Sequence, residues 1–156
     1  MHFFDGTLGK SPNLEFVLAN DGNLYANSDQ TKSGKYYALK IDSNDNVSAF
    51  LDYNSIGLSI QEPYVGGLVP LIVDSNGNLI GQGFDALNNK QYLINIENTG
   101  TTKQLFSFDT ADISKRIGIL AFENGGNYYS VNASRGKNNT DAIWENRFRR
   151  GSERGL

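Results

Sequence analysis

The chain has 156 residues, of which 38% are hydrophobic and 12% aromatic, a composition that fits one globular domain and excludes a disordered chain. A net charge of -3 gives no electrostatic basis for binding nucleic acid or an anionic membrane. No apolar run reaches the roughly 18 residues of a membrane-spanning helix. The chain has no cysteine, which excludes disulfides, zinc-thiolate sites and thiol nucleophiles.

Strand-like runs at the start of the chain alternate with turn-forming clusters. Tyr, Phe, Val, Ile and Leu favour a pleated, half-buried surface, whereas Asn, Asp, Gly and Ser tolerate tight turns. The dipeptide Asp21-Gly22 is a strong hairpin signal. These features predict four antiparallel strands at residues 14–19, 24–26, 35–41 and 47–53.

The same pattern recurs 55 residues later without a gap. Residues 21–24 align with residues 76–79, and Ile41 aligns with Ile96. A third, partial copy follows at a spacing of 49, where residues 120–129 match the first hairpin. The sequence therefore predicts one all-β repeat domain over residues 1–145, with units at about 14–56, 68–112 and 116–145.

A period near fifty residues with four short strands per unit is typical of propeller blades. Residues 20–26 with 37–42, and residues 75–81 with 92–97, resemble β-propeller repeats of the quinoprotein-like or NHL-like kind. The resemblance implies antiparallel four-strand units in a propeller-like array or partial propeller. A β-sandwich and an open stacked β-meander are the alternatives.

Three units are fewer than the four to eight blades of closed propellers. An incomplete array exposes strand edges and apolar faces, which favour association. The number of units therefore predicts a homo-oligomer or membership of a larger chain. Residues 146–156 carry four of the six arginines and show no strand alternation, so we predict a flexible basic tail there.

Catalytic side chains are sparse in this sequence. His2 is the single histidine and lies next to the first residue, which disfavours a Ser-His-Asp triad. Carboxylate chemistry remains, because 17 Asp and Glu residues leave room for a glycosidase pair. No residue is singled out as catalytic.

A calcium site is one alternative suggested by spacing. Asp74, Asn76, Asn78 and Asp85 place oxygen ligands at positions 1, 3, 5 and 12 of an EF-hand-like loop. However, the glycine falls at position 4 instead of position 6, and position 12 is Asp instead of Glu. Because the segment also aligns with a hairpin turn of the repeat, we favour the turn.

Aromatic residues beside amides are the second set of candidates. In a strand, neighbours point to opposite faces, so one tyrosine of each Tyr-Tyr pair can be exposed. An exposed ring can stack on a sugar while amides bond its hydroxyls. The predicted ligand-binding residues are Tyr36, Tyr64, Tyr128, Trp144 and Asn146. Cross-strand aromatic packing is the alternative role for these residues.

Repeated β-units with few catalytic side chains and a loop-rich surface favour a non-catalytic binding module. Its partner would be a protein or a glycan, with neither nucleic acid nor membrane expected. The alternatives are a fragment of a propeller-type glycoside hydrolase and a structural component of a surface or virion appendage.

Overall fold

The fold is seen in a computed structural model that describes residues 5–9, 15–60, 70–110, 119–123, 127–135 and 141–149. Side-chain packing is described up to residue 110, and the later strands are described by their backbone. The predicted all-β class is confirmed: the strands form antiparallel sheets that do not close into a barrel.

The first sheet contains four strands in chain order. They are β1 (Val17–Leu18), β2 (Leu24–Asn27), β3 (Tyr37–Ile41) and β4 (Val47–Asp52). A 3-10 helix, Tyr53–Ile56, follows β4; Asp52 caps its start by accepting a hydrogen bond from the Asn54 N–H. Gly57 ends this helix in the left-handed conformation.

The second sheet also has four strands in chain order: β5 (Ile72–Val73), β6 (Leu79–Asp85), β7 (Lys90–Ile96) and β8 (Thr102–Asp109). A third sheet contains β9 (Ile119–Glu123), β10 (Asn127–Arg135) and β11 (Asp141–Arg149), with β10 in the middle. Strand β11 continues through four residues, 146–149, that we had predicted to lie in a flexible tail.

The first two sheets repeat each other at the predicted spacing of 55 residues. The β-bulge between Ala38 and Leu39 recurs between Leu93 and Ile94. The strand registers recur as well, since Leu24 pairs with Ile41 and the corresponding Leu79 pairs with Ile96. The ungapped alignment therefore describes one structural unit used twice.

Four hairpin turns share one geometry, at residues 19–23, 42–46, 74–78 and 97–101. In each, the first N–H donates to the fifth carbonyl and the fourth N–H donates to the first carbonyl. The fourth residue has positive φ, with values of 78° at Gly22, 62° at Asp45, 79° at Gly77 and 83° at Gly100. This is a three-residue loop with a left-handed bulge residue, so only the second residue of the Asp21-Gly22 pair needs the left-handed conformation.

Each sheet has two faces that alternate along its strands. We call the face with Val17 and Tyr25, and its counterpart with Ile72 and Ile80, the trailing face. The opposite face, which carries Leu18 and Leu24 in the first sheet, is the leading face; its counterparts in the second sheet are Val73 and Leu79.

The main hydrophobic core lies between the first two sheets. From the first sheet it takes trailing-face residues such as Tyr25 and Ala38, together with Tyr53 and Ile60 from the segment that follows. From the second sheet it takes leading-face residues: Leu71, Leu79, Ile94 and Ile96. A smaller cluster around Ile80 and Leu93 lies on the trailing face of the second sheet.

The segment that follows the first sheet is paired with the second sheet through backbone hydrogen bonds. Ser59 pairs with Phe84 through hydrogen bonds of 2.9 Å and 2.6 Å, at the end of β6 that β5 does not reach. The first strands of successive sheets also approach each other, β1 to β5 and β5 to β9. Within the described part of the chain, no helix is long and apolar enough to cross a membrane.

Candidate functional site

A polar cleft of about 460 Å³ opens where the first two sheets meet at their turn ends. The β1–β2 turn of the first sheet forms one wall, and the β5–β6 and β7–β8 turns of the second sheet form the other. The lining residues are Ala19, Asn20, Asp21, Tyr25, Asn76, Gly77, Asn78, Leu79, Asn95, Ile96, Glu97 and Asn98. Amide and carboxylate residues therefore dominate the cleft.

The wall at residues 74–78 is held by the buried carboxylate of Asp74. Its Oδ1 accepts the backbone N–H groups of Asn76 and Asn78, each at 2.9 Å, and its Oδ2 accepts Asn78 Nδ2 at 3.0 Å. The turn is rigid because its own aspartate satisfies the backbone donors.

The β3–β4 turn repeats this arrangement outside the cleft. Asp42 Oδ1 accepts the N–H groups of Asn44 and Asn46 at 2.8 Å and 3.0 Å, and Oδ2 accepts Asn46 Nδ2 at 3.0 Å. The two turns have the sequences Asp-Ser-Asn-Asp-Asn and Asp-Ser-Asn-Gly-Asn. The two turns therefore have nearly the same chemistry, but only the turn at residues 74–78 borders the cleft.

The two walls touch where Gly77 faces Asn20. A Cβ atom added to Gly77 would meet the Asn20 side chain, with Cγ at 2.5 Å and Cβ at 2.8 Å. At Gly22, the equivalent position of the first sheet, an added Cβ would meet nothing within 4 Å. Glycine at position 77 thus allows close approach of the two sheets as well as the left-handed turn.

Asp21 has a fixed position in the cleft. Its Oδ1 accepts the Asn23 N–H at 3.0 Å, its Oδ2 accepts the Tyr25 hydroxyl at 2.8 Å, and Lys40 Nζ lies 3.9 Å from Oδ2. Desolvation raises the pKa of Asp21, but the hydrogen bonds from Asn23 and Tyr25 outweigh it, so that the pKa is lowered. Asp21 is therefore ionised at neutral pH and held by its own turn.

Tyr25 is 1% exposed, so its ring belongs to the core. Burial, and secondly the hydrogen bond to Asp21, raise the pKa of its hydroxyl. Its ring also makes an edge-on contact with Phe50, with the centroids 4.9 Å apart. The cleft accordingly offers hydrogen-bonding groups, and Tyr25 supplies no flat ring for stacking.

The hairpin turn that we favoured over a calcium loop forms at residues 74–78, and Asp85 lies apart from the other three candidate ligands. Asp74, Asn76 and Asn78 are brought together in the β5–β6 turn, where Asp74 bonds its own neighbours. Asp85 lies at the far end of β6, about 20 Å along a seven-residue strand, and it accepts hydrogen bonds from the Leu87 and Asn88 N–H groups. In the described residues, no group of three or more His, Cys, Asp or Glu side chains could hold a metal ion.

Tyr36 was predicted as an exposed ligand-binding residue, and this prediction is wrong. It is 5% exposed and packs in the main core, and burial raises the pKa of its hydroxyl. Its neighbour Tyr37 is the partly exposed member of the pair. The alternation was correctly predicted, but the choice of face was not, because the sequence does not say which face meets the next sheet. Tyr64 lies outside the described residues.

The register of the third sheet places Tyr128, Trp144 and Asn146 on one face. Three cross-strand pairs follow each other at every second position of the β10–β11 ladder: Tyr128 with Phe148, Ser130 with Asn146, and Asn132 with Trp144. Alternate positions of a strand lie on the same face. At the spacing of 49, Tyr128 corresponds to Leu79, which is 3% exposed on a leading face. The register therefore places these three predicted residues on one face of the third sheet.

Several residues of the cleft were not predicted as site residues: Asn20, Asp21, Asn95, Glu97 and Asn98. The register places Asn95 on the Ile80 face of the second sheet, and its Oδ1 is buried without a hydrogen-bond partner. The alignment contained a signal for the turn residues, since turns 19–23 and 74–78 are equivalent. It did not show that the turns of adjacent units face each other.

No protein family model matches the chain, and no curated protein matches its sequence.

Proposed function

We propose that this protein is a non-catalytic binding module that recognises a small polar ligand, of the glycan class, in the cleft between the first two sheets. The observation that carries the proposal is a cleft of about 460 Å³ lined chiefly by amide and carboxylate residues on turns of two adjacent repeats. This volume falls in the range of small-molecule sites. Asparagine amides both donate and accept, which suits the hydroxyl groups of a sugar.

Rigid turns support this proposal. Asp21 and Asp74 each satisfy the backbone donors of their own turn, so little conformational entropy is lost when a ligand binds. Asp21, ionised and bonded on both oxygens, would orient a ligand and is not free to serve as a proton donor. Asp21 therefore fits a binding role better than the role of the protonated carboxyl that glycoside hydrolysis needs.

We also propose that the sheets are arranged as successive blades of a propeller-like array. Support comes from the packing of the first sheet's trailing face on the second sheet's leading face, and from the approach of β1 to β5 and β5 to β9. In a propeller, equivalent strands of neighbouring blades gather around a common axis. The cleft would then lie at a blade-to-blade seam on one end of the array.

A glycan array, followed by calorimetric titration of the sugars that bind, tests whether the protein binds a glycan. We expect Asn76→Ala to weaken binding by about tenfold, the effect of losing one hydrogen bond to a ligand. Asn44→Ala is the matched control, because it alters the same turn motif outside the cleft, and it should bind like the wild type. Equal losses in both variants, or no bound glycan, would refute the proposal, and release of reducing sugar would instead indicate a hydrolase.

A further inference from the structure

Two close contacts between the first and second sheets lie beside the polar cleft. At one of them, a Cβ atom added to Gly77 would meet the side chain of Asn20. At the other, a Cβ atom added to Gly100 would lie 2.9 Å from the backbone carbonyl oxygen of Phe50 on β4. Both glycines belong to turns of the second sheet that carry cleft-lining residues, the β5–β6 turn and the β7–β8 turn.

Glycine at these two positions serves the approach of the sheets and not only the geometry of the turn. Asp45 holds the position equivalent to Gly100 in the first sheet with φ of 62°, so this type of turn accepts a residue with a Cβ atom. Gly22 is equivalent to Gly77, and an added Cβ there would meet nothing within 4 Å. The two glycines of the second sheet therefore mark the points where its turns contact the first sheet.

The strand order places the two contacts towards opposite edges of the sheets. Asn20 and Gly77 lie in the β1–β2 and β5–β6 turns, whereas Gly100 lies in the β7–β8 turn and Phe50 lies on the edge strand β4. The cleft lies between the contacts, because its lining extends from Asn20 and Gly77 to the β7–β8 turn. It is therefore closed along the seam on both sides and opens at the turn end of the sheets.

We propose that the cleft recognises the terminal unit of a glycan chain, and that Asn20 is the residue that sets this specificity. A unit inside a chain needs room for a neighbour on each side, whereas a terminal unit needs it on one side only. A cleft with a single opening meets only the second requirement. The inference rests on the proposed glycan-binding function and adds which part of the glycan is bound.

Asn20 is the closure that a substitution can remove. It is exposed in its turn, and its side chain makes the contact with Gly77. On the other side, Gly100 meets a main-chain atom of Phe50, which no substitution deletes. Replacing Asn20 by glycine should therefore open the cleft on one side and leave the other side closed.

Calorimetric titration with two forms of a glycan that binds tests the inference. In one form the recognised unit ends the chain, and in the other it carries a further sugar on both sides. We expect the wild type to bind the terminal form at least about tenfold more tightly, because the walls exclude the second neighbour. Asn20→Gly should bind the internal form at least about tenfold more tightly than the wild type does.

Ser43→Gly is the matched control, because Ser43 holds the position of Asn20 in the β3–β4 turn, outside the cleft. This variant should keep the preference of the wild type. Equal affinity of the wild type for both forms, or a preference that Asn20→Gly leaves unchanged, would overturn the inference while glycan binding stands. Absence of any glycan binding would instead refute the proposed function, and this inference with it.

The contact itself is tested without a ligand. Gly77→Ala should lower the urea midpoint less in the Asn20→Gly background than in the wild type, because the three atoms nearest to the added Cβ all belong to Asn20. Equal lowering in both backgrounds would show that Asn20 does not close the cleft and would overturn the inference. Asn20 is exposed, so Asn20→Gly should fold, which circular dichroism checks.

Discussion

At the scale of single residues, one left-handed position in each tight turn fixes the hairpins. Gly22, Gly77 and Gly100 occupy it, and Asp45 fills it in the fourth turn with φ of 62°. Aspartate tolerates this conformation better than most residues, because its short side chain bonds the local backbone. Glycine at 77 has the additional role of admitting Asn20 from the adjacent sheet.

Two glycine substitutions separate these roles. We expect Gly22→Ala to lower the free energy of unfolding by about 1 kcal/mol, the cost of a left-handed alanine. Gly77→Ala should cost roughly 1 kcal/mol more, since its Cβ would displace the Asn20 side chain. Urea denaturation of both variants measures the difference, and equal losses would show that the contact between sheets contributes nothing.

The turn carboxylates should make the protein acid-sensitive. Hydrogen bonds from Asn46 and Asn44 lower the pKa of Asp42 from its ordinary value of 3.8, and bonds from Asn88 and Leu87 lower that of Asp85. As the pH falls, the unfolded chain takes up protons before the folded one. The stabilisation is therefore complete at neutral pH and should decrease as the pH drops below about 4.

Urea denaturation of the wild type and Asp42→Asn at neutral and acidic pH tests this dependence. Asp42→Asn should be less stable than the wild type at neutral pH, and the gap should narrow as Asp42 is protonated in the wild type. A gap that stays constant with pH would mean that the ionised carboxylate does not stabilise the turn.

At the scale of the elements, equivalent strands of the two repeats lie in different environments. Leu24 and Leu79 hold the same register position, next to Ile41 and Ile96 respectively. Leu79 is 3% exposed, because the trailing face of the first sheet packs on it, whereas Leu24 is 39% exposed. Burial here depends on the order of the sheets and not on the strand's own sequence.

This difference predicts unequal effects of the same truncation. Leu79→Ala should destabilise the protein by about 2 to 4 kcal/mol, from lost burial and the cavity left behind. Leu24→Ala should cost less than about 1 kcal/mol in a single chain. Thermal or urea unfolding measures both losses of stability, and similar losses would contradict the packing of the second sheet on the first.

At the scale of the whole molecule, the trailing face of the first sheet meets the leading face of the second. The main core and the polar cleft both lie at the first seam, the core between the sheets and the cleft at their turn ends. The core and the proposed binding site thus arise from the packing of two copies of the same repeat.

The sequence by itself determined the class, the strand order and the period. Alternation, turn residues and an ungapped spacing of 55 are local properties, and β1 to β8 lie where they predicted. The same local rules predicted the hairpin turns correctly at 42–46 and 74–78. The calcium alternative depended on ligand spacing along the chain, and that spacing does not bring Asp85 to Asp74 because β6 extends between them.

Only the tertiary structure decided which face of each four-strand unit is buried. The strand period specifies two faces but not which of them a neighbouring sheet covers, and for this reason Tyr36 was placed at the surface when it belongs to the core. The cleft likewise arises from turns 19–23 and 74–78, which are 55 residues apart and meet only when sheets stack. The repeated four-strand unit is thus encoded locally, while its core and its cleft depend on how one unit packs against the next.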